Sequence, residues 1–196
     1  LLSVLRERFI VNNYPQESFV IIGHSMGAQI AARLSSARPD LVDAVISIDG
    51  SLGFSEELRP VFHQTVDGLL SDKPAFAAQA LLDAVYDPTT PLATRRWHAR
   101  RLEGTAQHVV RETLPPLFFG PDQVGLGAQS ETFCRSLRGP FYHLSRDRAQ
   151  ADRMRHWFTH KNCKVDYWSD AGHWIMQDRP EEATAAIMAW IDQLPT

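Results

Sequence analysis

Apolar positions change period several times along the chain, and those changes divide it into elements. Leu1, Leu2, Leu5 and Phe9 recur at helical spacing, so the first residues predict an amphipathic helix. Turn chemistry follows in NNYPQES, and the continuous apolar run from Phe19 to Ile22 predicts a strand covered on both faces, as in a parallel sheet. After Gly23-His24-Ser25-Met26-Gly27, helical spacing returns through Ala28, Ile30, Ala31 and Leu34 and stops before Pro39. Residues 44–49, AVISID, read as a second buried strand, and 18–49 is then a strand-helix-strand unit whose crossover is expected to be right-handed.

Residues 53–137 have a different texture. Helical stretches are predicted near 56–70, 74–86, 91–103, 105–119 and 128–137, punctuated by Pro60, Pro74, Pro88, Pro91, Pro115 and Pro121, with no strand-like run. That is too long for an ordinary crossover, and it reads as an inserted helical cap. Strand and helix then alternate again: a strand at 141–144, a helix at 146–159 with Met154, Trp157 and Phe158 on one face, and a strand at 164–168. A last amphipathic helix runs from Pro180 to about Gln193, with Pro in its first turn and Ala183, Ile187, Trp190 and Ile191 on the apolar side. The expected organisation is therefore a first core segment at 1–52, a helical insertion at 53–137 and a second core segment at 138–196, all within an α/β fold.

Composition narrows the functional classes. A hydrophobic content of 44% with 22% charged residues is ordinary for a globular chain. The formal charge of −3, without blocks of like charge, argues against nucleic acid as a partner. Cys134 and Cys163 have no CxxC or CxxH companion, so neither a disulfide framework nor a zinc site is signalled. No apolar run approaches the ~20 residues of a membrane span. A cytoplasmic address, a small-molecule substrate and no membrane partner are the expectations, with the oligomeric state left open.

The chemistry concentrates in G-x-S-x-G at 23–27. It follows an apolar strand directly and opens a helix directly, the context a nucleophile elbow requires. A serine held in that strained turn projects its hydroxyl above the strand ends, and Gly23 and Gly27 are expected to remove side chains that would collide with strand and helix. The Met26 N–H, at the helix N-terminus, is a candidate oxyanion donor. The alternative is a glycine-bounded turn carrying an incidental serine.

A nucleophilic serine needs a base to take its proton. Of eight histidines, His173 follows a strand and the short loop WSDAG, so it should lie outside the carboxyl end of a parallel sheet, where sites in such sheets form. His24 is expected to line the site wall, with Trp174 beside it, and His143 reads as a core histidine within a strand. Two carboxylates can serve as acid: Asp49, ending the second strand, and Asp147, just after the third. Asp152 is a weaker candidate and Asp170 reads as turn chemistry. Arg146 and Arg148 around Asp147 suit a solvated helix start, where an aspartate would cap.

GHSMG at 23–27, the helical insertion downstream of it, and AGHW at 171–174 before a final amphipathic helix together make the chain resemble the α/β-hydrolase fold superfamily, over essentially its whole length. The resemblance implies a mostly parallel sheet flanked by helices, the order Ser, acid, His for the catalytic residues, and a serine hydrolase without cofactor or metal, acting on an ester, lactone or similar acyl bond. It also implies that the superfamily's first four strands, and the loop giving a second oxyanion donor, lie upstream of Leu1. Two other readings share the fold: a cofactor-free dioxygenase of heteroaromatic rings, which places its acid after the earlier strand, and a ligand receptor without catalysis. Phe54, Phe62, Phe76, Tyr86, Trp97, Phe118 and Phe119 are expected to form the insertion's own core or an apolar cavity facing Ser25.

Overall fold

The computed structural model describes residues 18–195, and the helix expected at 1–9 lies outside that range. Four parallel strands, β1 (Phe19–His24), β2 (Val42–Ile48), β3 (Phe141–Ser145) and β4 (Lys164–Tyr167), are hydrogen-bonded in that order. Ile46 faces Ile22 on one side and Tyr142 on the other, so all the strand ends that matter for chemistry point one way. The fold is the expected mostly parallel sheet flanked by helices.

Alternation along β2 explains the layers, because successive side chains leave a strand on opposite faces. Val45 joins Ala31 and Ala32 of α1 (Met26–Ala37), Ala151 and Met154 of α8 (Arg148–Met154) and Phe141 in one buried cluster. Ala44, Ile46 and Ile48 join Tyr142, Leu144, Ile175 of the short α9 (Ile175–Asp178) and the apolar stripe of α10 (Pro180–Ile191) in another. A polar row runs through the first face: the Ser47 hydroxyl and His143 Nδ1 are 2.8 Å apart, and the Ser145 hydroxyl donates to Gln150 at 2.6 Å. β1 differs from the expectation of a strand covered on both sides. Among the described residues it pairs with β2 alone, and Ile22 is 53% exposed.

Between β2 and β3 lie a 3-10 turn (Glu56–Leu58) and six α-helices: α2 (Arg59–Leu70), α3 (Pro74–Asp83), α4 (Leu92–Glu103), α5 (Gln107–Thr113), α6 (Pro115–Phe118) and α7 (Gly127–Ser136). The segment expected as one helix at 105–119 breaks at Leu114, since Pro115 has no N–H to extend the first helix but suits the first turn of the next. The excursion leaves and returns at one point, where Phe54 N–H donates to Gly125 O and Gly127 N–H to Phe54 O. Its apolar residues form their own clusters, Leu69, Ala78 and Val110 in one and Phe54, Phe62, Leu117, Phe118 and Leu126 in another, while Cys134 of α7 packs onto the sheet. The third strand-following helix is shorter than 146–159 suggested, ending at Met154. Among the described residues no helix is long and apolar enough to cross a membrane.

Candidate active site

Ser25 stands where β1 ends and α1 begins, with φ 54° and ψ −120°. A positive φ is rare for a non-glycine residue and is retained where the surroundings impose it. Here Ser25 N–H donates to Ile48 O and Ser25 O accepts from Ser51 N–H, each at 3.1 Å, which stitches the turn to the end of β2. A serine at a helix N-cap usually spends its hydroxyl on the first turn. This one does not, and its hydroxyl has no partner among the described residues.

The two glycines of the turn are not equivalent. A Cβ on Gly23 would run into the Gly27 carbonyl and sit 2.6 Å from Ala28 N, both backbone atoms. A Cβ on Gly27 would meet nothing outside its own helix, contrary to the expectation of a collision there, because Gly27 faces the open cavity. Gly23 allows α1 to pack on β1, whereas Gly27 leaves room above the turn.

Met26 is the first residue of α1, so its N–H has no intrahelical acceptor, and it lies beside Ser25 at the space over the turn. That space is a cavity of about 800 Å³ whose lining includes Ser25, Met26, His24, Asp49, His173 and Trp174. Phe54, Leu58, Phe62, Leu82, Leu114 and Phe118 form its apolar wall, while Arg146, Asp147, Arg148 and Gln150 give it a polar side.

His173 and Asp49, from opposite ends of the sequence, meet here. His173 Nδ1–H donates to Asp49 Oδ2 at 2.6 Å, which leaves Nε2 with its lone pair as the ring's basic position. Asp49 is 8% exposed and, like Ser25, holds a positive φ, 41°. Its carboxylate also accepts the Arg146 N–H at 3.1 Å on Oδ1 and Arg146 Nε at 3.0 Å on Oδ2. Burial pushes this carboxyl up, but the hydrogen bond and charge of His173 and the charge of Arg146 outweigh it and hold it below the usual carboxylate range. Asp147 does something else: its carboxylate accepts Gln150 N–H at 3.1 Å and caps α8. The structure thus brings Asp49 to His173 and gives Asp147 a capping bond.

Arg146 was expected to be solvated with Arg148 at a helix start. It is instead the second partner of Asp49, because β3 ends beside β2 and carries the residue following Ser145 onto the Asp49 carboxylate. His24 lines the cavity, but its Nε2–H is spent on His173 O at 2.8 Å. Burial, then the neighbouring His173, push His24 down to about 4. Gly172 permits a close approach of two backbone segments, since a Cβ there would lie 2.5 Å from Asp87 N. Trp174 is stacked against Tyr86 and His98 of the insertion, with ring centroids 5.0 and 4.1 Å away. That pairing had no sequence signal, because Tyr86 and Trp174 are distant in the chain and only Trp174 lies in a motif. Among the described residues no three His, Cys, Asp or Glu side chains converge as a metal site.

A model of the alpha/beta hydrolase family matches residues 3–187. The chain belongs to the alpha/beta hydrolase family. Solved structures of that fold superpose on most of this family member at low identity. A bromoperoxidase from Bacillus anthracis aligns with TM-score 0.74 and 11% identity, over 94% of this chain and 71% of its own. An enol-lactonase from Burkholderia xenovorans LB400 gives 0.65 and 12%, over 94% and 69%. A carboxylesterase from Bacillus subtilis gives 0.67 and 14%, over 93% and 62%. At these identities the likeness is one of fold, on which different chemistries are built.

Proposed function

We propose that this alpha/beta hydrolase is a serine hydrolase cleaving an ester, lactone or similar acyl bond of a small apolar substrate. The observation that carries the reading is the 2.6 Å bond from His173 to Asp49 at the wall of the cavity that the strained Ser25 also lines, its hydroxyl without a partner among the described residues. Ser25 Oγ attacks the acyl carbonyl carbon as His173 Nε2 takes its proton, and Asp49 steadies the imidazolium. The carbonyl oxygen becomes an oxyanion facing the Met26 N–H. Collapse expels the leaving group, protonated by His173, and water activated by the same histidine releases the acid. The apolar wall around Phe54, Phe62 and Phe118 selects the substrate body, with the helices of 53–137 acting as a cap over the sheet and Trp174 and His24 shaping its floor. Ser25→Ala is expected to abolish covalent labelling by an active-site phosphonate and to lower ester turnover by at least ~10³-fold. Labelling that survives the change would overturn the assignment.

The position of Asp49 supports a second reading, a cofactor-free dioxygenase of a heteroaromatic ring, in which His173 removes a proton from the substrate and oxygen is the co-reactant. Oxygen uptake with a hydroxylated heteroaromatic substrate, retained in Ser25→Ala and lost in His173→Ala, would establish it over hydrolysis.

A further inference from the structure

We infer that Asp178, through Thr90 and Gly172, is a positioning residue that ties the base His173 to the helical insertion. The Asp178 carboxylate bridges two parts of the chain. Oδ2 accepts the Gly172 N–H and Oδ1 accepts the Thr90 hydroxyl, each at 2.8 Å. Next to this bridge, His173 N–H donates to Val85 O at 2.8 Å. The backbone leading into the His173 Cα is therefore held by the insertion's 85–90 segment and by Asp178, while the His173 carbonyl beyond it accepts from His24 at the end of β1.

That segment is itself fixed. Thr90 is buried, Arg95 donates to Asp87 O at 2.7 Å and to Thr90 O at 3.2 Å, and the same guanidinium lies 4.9 Å over the Tyr86 ring. Asp87 accepts Thr89 N–H at 2.8 Å and closes the turn. Gly172 lets the two segments touch, since its missing side chain would overlap Asp87 N and Val85 O. A base works only when it is held within hydrogen-bond reach of the group it deprotonates, and a misplacement of about 1 Å costs on the order of 10²-fold. Asp178 does not touch the cavity, whose lining includes its neighbours His173 and Trp174. It acts on the chemistry through the His173 backbone.

The bridge has a chemical signature, because one arm needs an acceptor for the Gly172 N–H and the other any partner for the Thr90 hydroxyl. In Asp178→Asn the amide oxygen still accepts from Gly172 N–H and the amide nitrogen donates to Thr90 Oγ1, so both bonds survive without the charge. Asp178→Ala loses both, and Thr90→Val loses only the link to the insertion. The test uses the full chain in three variants, with circular dichroism and thermal melting to establish folding. The readout is the low-field proton resonance of the His173 Nδ1–H bonded to Asp49, assigned by its loss in His173→Gln. The expected result is a resonance kept in Asp178→Asn and broadened or lost in Asp178→Ala, with kcat down about 10- to 100-fold in Ala and KM within about threefold. Thr90→Val should lie between, with kcat down about three- to tenfold. The kcat arm rests on the reading of His173 as base. The resonance reads the His173 to Asp49 bond whatever the substrate, so a protein inactive on every ester still decides the positioning role. Should Asp178→Ala not fold, a folded Thr90→Val with wild-type resonance and kcat overturns the inference, as does a folded Asp178→Ala that keeps both.

Discussion

Replacing Asp49 by asparagine tests the proposed triad where its geometry is most constrained. Three N–H donors converge on this carboxylate, His173 Nδ1 and Arg146 Nε on Oδ2 and the Arg146 backbone on Oδ1. An amide offers one acceptor oxygen and an NH₂ group, so one of two mismatches is forced. With the oxygen at the Oδ2 position, His173 keeps its tautomer, but the NH₂ group opposes the Arg146 N–H. With the oxygen at Oδ1, the NH₂ group opposes Arg146 Nε, which cannot lose its proton, and His173 must present a bare Nδ1. That tautomer carries its proton on Nε2 and cannot accept one from Ser25.

In the first orientation the charge-assisted bond to the forming imidazolium is lost, about 1.5–3 kcal/mol, which is roughly 10- to 150-fold in rate. In the second the base is in the wrong form, a loss of about 10⁴-fold in the best-studied triad. The expected result is therefore a fall in kcat of between ~10-fold and ~10⁴-fold, with KM nearly unchanged, because the loss is felt as the imidazolium forms. Steady-state hydrolysis of a short p-nitrophenyl ester, with active sites counted by phosphonate labelling, measures it. A folded Asp49→Asn protein within threefold of the wild-type kcat would refute the assignment of the acid.

Asp147→Asn should be nearly silent in rate and stability, since asparagine caps as well as aspartate, whereas Asp147→Ala should cost about 1 kcal/mol by urea unfolding and little activity. Gly23→Ala should lose about 3 kcal/mol or fail to fold, because its methyl meets backbone atoms of α1. Gly27→Ala should instead gain a few tenths to ~1 kcal/mol from helix propensity while narrowing the cavity it lines. The pH dependence follows from His24 and His143, each pushed down to about 4 mainly by burial. Below the unfolded value of ~6.5 the unfolded chain binds protons that the folded chain refuses, so stability should fall from pH 6.5 towards 4, with a shallower slope in His143→Asn. The depressed Asp49 carboxyl acts in a separate window, its stabilisation being lost only as pH drops below ~3.9.

The fold was legible because its signals are local. Phe19 to Ile22, the glycine-flanked turn and the spacing of Ala28, Ala31 and Leu34 each need only a few neighbours to be read, and the observed β1 and α1 fall where those residues predict. The segment between β2 and β3 was legible as helical, but its internal break at Leu114 turned on which side of Pro115 the helix would end. The different tasks of Gly23 and Gly27 were not legible, since a bare G-x-S-x-G cannot say which glycine faces backbone and which faces open space.

The acid shows why a site can be half readable. Asp49 and Asp147 both follow strands that end on the same edge, so sequence alone places either near His173. What separates them is whether a carboxylate has a nearer claim on it. Asp147 lies one residue before a helix and its bond to Gln150 N–H is made within four residues. Asp49 follows β2 with no helix beginning directly after it, and its carboxylate is left for partners from β3 and from the His173 loop. The absence of a local partner is itself a sequence signal: a strand-end aspartate followed by Gly-Ser-Leu-Gly has no first turn to cap, and one followed by Arg-Ala-Gln-Ala does. Applied before the structure, that rule favours Asp49. It gives no access to Arg146, because which of two flanking arginines turns toward the neighbouring strand end depends on the register of β2 against β3, a contact between residues almost a hundred positions apart.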